Sequence, residues 1–73
     1  MPSKDKIELE GTVTKVLKGT NFEVELDDNH QIIKCTMSGK LRINKIRILA
    51  GDKVIVAISP YDLTRGIIIW RSK

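Results

Sequence analysis

Hydrophobic and polar residues alternate along much of this chain with a period of two, which is typical of β-strands that have one face in water. From residue 22 onward, for example, Phe22, Val24 and Leu26 alternate with acidic residues. The 16 isoleucines and valines favour strands as well. In chain order, the predicted elements are strands over residues 7–17, 22–27 and 31–37, a short helical turn over 40–45, and strands over 53–59 and 67–71.

The segment between the third and fourth strands breaks this alternation. Ser38-Gly39 interrupts the third strand, and the residues that follow fit one helical turn with Leu41 and Ile48 facing inward. The register of the third strand stays open, because Ile32 and Ile33 are adjacent. Residues 60–66, which begin with Pro60, indicate a loop before the last strand.

Five short strands with one helical break predict a small closed barrel. Closure removes the sheet edges that an isolated sheet of this size would expose. The all-β architecture that fits is the five-stranded Greek-key OB-fold barrel, with its short helical turn between strands 3 and 4. A half-open SH3-like barrel is the structural alternative. We expect one domain over residues 1–73, with residues 1–5 flexible.

The composition excludes several classes of protein. A chain of 73 residues and 8.3 kDa supports one small core and excludes a multidomain machine. The longest apolar run, from Ile67 to Trp70, is far shorter than the roughly 18 residues of a membrane span. We expect no membrane partner and, since residues 1–10 are mostly polar, no signal peptide. One cysteine, Cys35, excludes an internal disulfide and fits a reducing compartment.

Charge divides the chain into an acidic and a basic half. Residues 1–28 hold seven acids and four bases, and residues 29–73 hold nine bases and two acids. The net charge of +4 therefore combines −3 with +7. A basic half on a small domain favours a polyanionic partner, although a solvated surface that only aids solubility is the alternative.

The sequence contains few groups with the chemistry of an active site. His30 lies in a turn beside Asp27 and Asp28, where a general base is conceivable and an ordinary solvated turn is more common. Cys35 lies in the middle of a strand, where it acts as a small buried hydrophobe. One cysteine and one histidine do not supply the usual four zinc ligands. We therefore expect no catalytic residue, no metal and no cofactor.

A basic segment covers the break between the third and fourth strands. Lys40, Arg42, Lys45 and Arg47 fall within eight residues, and no acid occurs between His30 and Gly51. OB-folds often bind nucleic acid in this region, and arginine matches phosphates with two parallel hydrogen bonds. Ordinary solvation of a helical turn is the alternative. Two further cations, from the C-terminal strand region, are expected to extend the patch: Arg65 and Arg71.

The three aromatic residues indicate which kind of nucleic acid fits. Phe22 is in phase with core residues, Trp70 is expected in the core or at its rim, and Tyr61 in an exposed loop. Proteins that bind single strands usually stack bases on several aromatic side chains. The low count argues against such a platform and favours recognition of a folded RNA by shape and phosphates.

Several strings of this sequence resemble bacterial translation initiation factor one. They are Ser38-Gly39-Lys40-Leu41-Arg42, Ile46-Arg47-Ile48-Leu49, Gly51-Asp52-Lys53-Val54 and the run from Pro60 to Gly66. The opening strand and the strand from Phe22 to Leu26 are also similar to that family, so that the resemblance spans nearly the whole chain.

The resemblance implies an S1-like OB-fold without catalytic activity. It implies binding in the A-site region of the small ribosomal subunit, with contacts to the decoding region of its RNA and to a neighbouring ribosomal protein. Two decoding adenines would be displaced into pockets on or beside the factor. It also implies cooperation with the other initiation factors. We expect a monomer in the bacterial cytoplasm, with an organellar copy as the alternative.

The resemblance also assigns roles by position. Lys40, Arg42 and Arg47 would line or flank the adenine pocket, and Lys45 and Arg65 would meet phosphates. The loop from Lys18 to Asn21 would lie against the RNA minor groove. The RNA-binding residues expected from the sequence are therefore Lys18, Lys40, Arg42, Lys45, Arg47, Arg65 and Arg71.

Three positions depart from the pattern of the family. Ile67 stands where an arginine is usual, the turn over 27–31 is longer by one residue and lacks the usual glycine, and Lys18-Gly19 replaces Pro-Asn. Three other functions compete with the initiation factor. They are a free-standing RNA chaperone of cold-shock type, a small nuclease that uses His30, and a protein-interaction barrel without a nucleic-acid partner.

Overall fold

The secondary structure follows the predicted order of strand and helix. The computed structural model describes residues 7–71, so the expected flexibility of residues 1–5 lies outside the described residues. The elements are β1 (Ile7–Val16), β2 (Asn21–Leu26), β3 (Ile32–Met37), α1 (Gly39–Ile43), β4 (Lys53–Ser59) and β5 (Asp62–Arg71).

The five strands close into a barrel in the order β1-β2-β3-β5-β4. The strands β3 and β5 pair in parallel, and all other neighbours pair antiparallel. The helix α1 lies in the connection between β3 and β4. The prediction of a closed five-stranded OB-fold barrel with a short helix after the third strand is thus confirmed.

The core consists of the residues that the alternation places on the inner faces of the strands. One row across the sheet pairs Val13 with Val24 and Val24 with Ile33, and all three are fully buried. This row settles the register of β3, because Ile33 points inward and Ile32 outward. The core cluster contains Val13, Phe22, Val24, Leu26, Ile33, Cys35, Leu41, Ile48, Val54, Val56, Ile58 and Ile68.

The start of β5 differs from the prediction. A loop over 60–66 was expected, but the strand begins at Asp62, and Ser59 pairs with Asp62 in a tight hairpin. Residues 62–65 are exposed on both faces of the strand. This part of β5 therefore has no alternation of hydrophobic and polar residues by which a strand is predicted. The segment is held at both ends, because Asp62 pairs with Ser59 and Arg65 pairs in parallel with Lys34 on β3.

The strand β1 is interrupted by a bulge that the regular alternation hides. Its pairing with β2 shifts between Val13 and Lys15, which leaves Thr14 as the extra residue. Beyond the bulge, Val16 pairs with Phe22, and the strand ends there rather than at Leu17. A bulge bends a strand and strengthens its twist, so this one helps to close the barrel beside the first loop.

The cysteine is buried at the centre of β3, as the sequence predicts. Cys35 is 1% exposed, and desolvation raises the pKa of its thiol to about 12. Thiol reagents attack the thiolate, so we expect Cys35 to react only when the barrel opens. Labelling by a disulfide reagent at rising denaturant should therefore follow global unfolding, whereas a Cys35→Ala/Thr36→Cys control should react at once, since Thr36 is exposed.

The same pKa shift predicts how stability depends on pH. Because the folded state keeps the Cys35 proton up to about pH 12 and the unfolded state loses it near pH 9, the thiol contribution to stability is complete below pH 9. It is then lost as the pH rises toward 12. In urea titrations between pH 8 and 10.5, the free energy of unfolding of Cys35→Ala should lack this loss. If the wild type and Cys35→Ala depend on pH in the same way, the raised pKa of Cys35 is contradicted.

Candidate nucleic-acid interface

The helix α1 is fixed to the barrel at the capping residue that precedes it. The Ser38 hydroxyl accepts a hydrogen bond from the Leu41 backbone N–H at 3.3 Å, which caps the helix. The Ser38 N–H donates to the Ile68 carbonyl on β5 at 2.9 Å. Leu41 is buried, while Lys40 and Arg42 are exposed. The cap and the buried leucine therefore determine which side chains of α1 face solvent.

The end of α1 forms a Schellman motif that presents a lysine. The Lys45 N–H donates to the Arg42 carbonyl and the Ile46 N–H donates to the Leu41 carbonyl, both at 3.1 Å. Glycine is usual at the position that Lys45 occupies, because φ there is +57°. Ile46 packs against the core and completes the motif. Lys45 thus has a left-handed backbone and an exposed side chain.

The loop between β1 and β2 is attached to the end of β3. The Leu17 N–H donates to the Asn21 carbonyl at 2.8 Å, and the Asn21 amide donates to the Lys18 carbonyl at 3.2 Å. Gly19 has φ +73°, a conformation that glycine adopts without steric strain. The Met37 N–H donates to the Thr20 carbonyl at 3.3 Å. These bonds place the loop next to the start of α1.

A groove opens on the α1 side of this loop. We call it the helix groove; its volume is about 430 Å³, and the residues used below are Thr20, Phe22, Arg42, Lys45, Arg47 and Ile48. Arg42, Lys45 and Arg47 are all exposed. Three of the expected RNA-binding residues therefore line one depression, whose inner wall includes buried Phe22 and Ile48.

A second groove opens on the other side of the loop. We call it the strand groove; its volume is about 650 Å³, and its lining includes Leu17, Lys18, Lys34, Ala57, Arg65 and Ile67. Lys18 and Arg65 were expected from the sequence. The loop contributes Lys18 and Asn21 to this groove and Gly19 and Thr20 to the helix groove, so the two grooves adjoin. Five of the seven expected residues thus border one continuous surface.

The remaining two expected residues lie outside both linings. Lys40 is exposed on α1. Arg71 donates from Nη1 to the Arg47 carbonyl at 2.7 Å and approaches Asp52 Oδ2 at 3.8 Å. Arg71 therefore ties the end of β5 to the segment that carries Arg47, and a carboxylate offsets part of its charge.

Lys34 is a groove residue that the sequence reasoning did not include in the site. It belongs to β3, and the parallel pairing with β5 brings it opposite Arg65. Its position in the strand groove depends on the pairing of two strands that are distant in sequence. A signal was nevertheless available, because Lys34 lies inside the acid-free run that follows His30.

The opposite end of β2 is acidic. A strand of six residues spans about 20 Å, which separates the turn after Leu26 from the loop before Asn21. At that end Lys53 forms an ion pair with Asp27, and His30 Nδ1 lies 3.0 Å from Glu25 Oε2. His30, in the turn that lacks the usual glycine, has φ +58°. Part of the acidic half of the sequence therefore lies at the end of β2 that is remote from this loop.

The aromatic residues are divided between core and surface. Phe22 is buried, whereas Tyr61 is 86% and Trp70 is 59% exposed. Neither exposed aromatic lines the strand groove or the helix groove. Stacking on an exposed aromatic ring is therefore not the means by which these grooves would hold a base.

Neither a metal-binding cluster of side chains nor a membrane-spanning helix occurs within residues 7–71. No group of three or more His, Cys, Asp and Glu side chains among these residues is arranged to hold a metal ion. In the same part of the chain, no helix has the length and the apolar character needed to cross a membrane.

The family to which the chain belongs is decided by a match over its whole length. The family model for translation initiation factor 1A / IF-1 matches residues 1–73. The chain belongs to this family of translation initiation factors. The resemblance to this family that the sequence strings between Ser38 and Gly66 carry is thus confirmed.

A solved structure agrees with the family match. The chain is similar to translation initiation factor one from the Wolbachia endosymbiont strain TRS of Brugia malayi, with 48% identity and a TM-score of 0.78. The match covers 97% of this chain and 83% of the other. The described barrel is therefore the barrel of an initiation factor of this family.

Two larger proteins contain a similar barrel. YjeQ from Thermotoga maritima matches with a TM-score of 0.75 at 24% identity, and YloQ, a circularly permuted GTPase, with 0.74 at 26%. Each match covers 92% of this chain but only 23% of the other. These likenesses concern the fold of one part of those chains.

Proposed function

We propose that this initiation factor binds the A-site region of the small ribosomal subunit, chiefly through the RNA of the decoding region. The observation that supports this best is the surface formed by the two grooves and the loop between them. Lys18 and Arg65 on one side, and Arg42, Lys45 and Arg47 on the other, line this surface. A cationic surface with two depressions fits a folded RNA that presents phosphates and displaced bases.

The loop over 17–21 acts as the ridge that enters the RNA in this proposal. Its two faces contribute to different grooves, so RNA on either side of it meets cations. The helix groove, with Arg42 and Arg47 at its rim and Phe22 in its wall, accepts a displaced adenine. Lys40 extends the rim on α1, and Arg71 acts through its hydrogen bond to the Arg47 carbonyl.

The family match supports the rest of the proposed role. The factor occupies the A site during initiation and excludes premature entry of transfer RNA, and it cooperates with the other initiation factors. It contacts a neighbouring ribosomal protein, acts as a monomer in the cytoplasm and catalyses no reaction. The exposed His30–Glu25 pair is a surface ion pair at the acidic end in this scheme.

Salt dependence provides the first test of this function. If about four phosphates are contacted, affinity for small subunits should fall on the order of a hundredfold between 50 and 200 mM salt, because each contact releases bound counterions. We would measure it by co-sedimentation of the purified protein with bacterial small subunits, with chemical probing of the decoding adenines. We expect one protein per subunit and a changed reactivity at those adenines.

Three results would count against the proposal. Folded protein that fails to bind at 50 mM salt would overturn it. Tight binding to short unstructured oligonucleotides, with no preference for subunits, would favour an RNA chaperone. Affinity that is insensitive to salt would favour a protein partner over RNA.

A further inference from the structure

The segment that carries Arg47 has no regular secondary structure. It connects the end of α1 with β4, which begins at Lys53. Within residues 7–71, the one hydrogen bond found to the Arg47 backbone comes from a side chain, because Arg71 Nη1 donates to the Arg47 carbonyl at 2.7 Å. Ile48, the next residue, is buried and fixes the side of the segment that faces the core. Arg71 therefore holds the backbone from which the Arg47 side chain reaches the rim of the helix groove.

Asp52 connects this contact to the rest of the barrel. Its Oδ2 accepts a hydrogen bond from the Leu49 N–H at 2.9 Å, and its N–H donates to the Leu49 carbonyl at 3.1 Å. The same Oδ2 lies 3.8 Å from Arg71 Nη1. The Asp52 carbonyl accepts from the Val13 N–H at 2.9 Å, which fixes the turn over 49–52 to β1. One carboxylate therefore contacts the Arg71 guanidinium from a turn that the barrel holds in place.

The guanidinium of Arg71 is engaged within the protein. Arg71 lines neither groove, and its side chain is 38% exposed. Its Nη1 is close to the Arg47 carbonyl and to the Asp52 carboxylate. Arginine suits such a position, because its planar group holds several acceptors in a fixed geometry. A phosphate would compete with both acceptors for the same group, so the contacts favour support of Arg47 over direct contact with RNA.

We propose that Asp52 and Arg71 are positioning residues that hold the Arg47 segment in the arrangement that meets RNA, and that neither of them touches RNA itself. The inference rests on the proposed function and deepens it, since it separates a residue that binds from the two that support it. It also gives an acidic residue a favourable part in binding a polyanion.

The first experiment is a double-mutant cycle. Arg71→Met removes the donors and keeps an unbranched stem, and a lost support costs no more than the contact that it supports. Binding to small subunits should therefore weaken by up to about tenfold at 50 mM salt, which is the value of one phosphate contact. In an Arg47→Ala background the same change should alter affinity by less than about twofold, because no side chain is left to position.

The second experiment uses Asp52→Ala, for which charge alone predicts the opposite result. Removal of an acid raises the net charge of +4 by one unit, which by itself strengthens attraction to RNA. Positioning instead predicts binding that is weaker by about three- to tenfold, within the value of one phosphate contact. The matched control is Asp28→Ala, which removes one exposed acid from a turn that lines neither groove. Its affinity should equal or slightly exceed that of the wild type.

Co-sedimentation would measure affinity, and thermal melts would establish that every variant is folded at the temperature of the assay. A loss that came only from unfolding would persist in the Arg47→Ala background and appear in the melts. If Asp52→Ala does not fold, the cycle of Arg71 with Arg47 decides the question alone.

The outcomes separate this inference from the proposed function. If the wild type binds subunits and Arg71→Met loses affinity equally in both backgrounds, Arg71 contacts RNA itself and the positioning role is wrong. Wild-type affinity of Arg71→Met, or binding of Asp52→Ala that is tighter than that of the wild type, would also overturn the inference while the proposed function stands. If the folded wild type does not bind subunits at 50 mM salt, the proposed function itself fails.

Discussion

Reversing the charges of Arg42 and Arg47 together is expected to abolish binding to the small subunit while the barrel stays folded. Both side chains are exposed at the rim of the helix groove and stabilise nothing in the core. Two lost phosphate contacts weaken affinity by about two hundredfold at 50 mM salt, on the order of fifteenfold for each, and the new carboxylates add repulsion. Co-sedimentation with small subunits would measure the loss.

The net charge of the protein needs a matched control. Arg42→Glu with Arg47→Glu lowers the net charge of +4 by four units. A variant with Lys53→Glu, Asn29→Asp and Gln31→Glu lowers it by the same amount at positions that line neither groove. If the grooves carry the interaction, this control should retain most of the affinity, since long-range steering is the only contribution it loses.

Two results would contradict the assignment of the helix groove. Binding of the Arg42/Arg47 double variant with wild-type affinity would place the interface elsewhere on the barrel. Equal losses in the double variant and the matched control would mean that affinity follows net charge rather than a located surface. Circular dichroism spectra and thermal melts of all three proteins would show whether unfolding accounts for any loss.

The alternation of residue types predicted most of the fold because burial on one face of a strand is a local constraint. It placed Phe22, Val24 and Leu26 in the core, and all three are buried. It failed at residues 62–65, where exposure on both faces leaves no alternation to read. It also missed the bulge at Thr14, since one extra residue changes the pairing without changing the composition.

The two grooves could be predicted from the sequence where their cations are close neighbours, and not where they depend on strand pairing. The cluster from Lys40 to Arg47 is evident in the sequence because its members are close neighbours. Lys34 reaches the strand groove only through the parallel pairing of β3 with β5, and Arg71 turns to the Arg47 carbonyl across 24 positions. The sequence contains the residues of both contacts but not the register that creates them.

The left-handed backbone at Lys45 is a further feature that could not be predicted from the sequence. The residue with a left-handed backbone at the end of a helix is usually glycine, but here it is lysine. An L-residue in that conformation is less favourable than glycine by about 1 kcal/mol. Such strain is often found at functional sites, and the exposed Lys45 ammonium lines the helix groove.

Replacing Lys45 with glycine is therefore expected to change stability and binding in opposite directions. Relief of the strain should raise the free energy of unfolding by about 1 kcal/mol, which corresponds to a rise of about 4–8 °C in the melting temperature of a domain of this size. Loss of one phosphate contact should weaken subunit binding on the order of tenfold at 50 mM salt. Thermal melts and co-sedimentation would measure the two effects.

A glycine at His30 provides the control for the backbone effect. His30 has φ +58°, nearly the value at Lys45, and lies at the acidic end. His30→Gly should gain similar stability without loss of binding. Lys45→Arg should keep both the strain and the affinity, because it keeps the charge at the same backbone position. If Lys45→Gly gains stability and binds as the wild type does, the lysine serves no contact with RNA. If Lys45→Gly gains no stability although His30→Gly does, the Schellman motif accommodates lysine without strain. The presence of lysine at this position then needs no functional explanation.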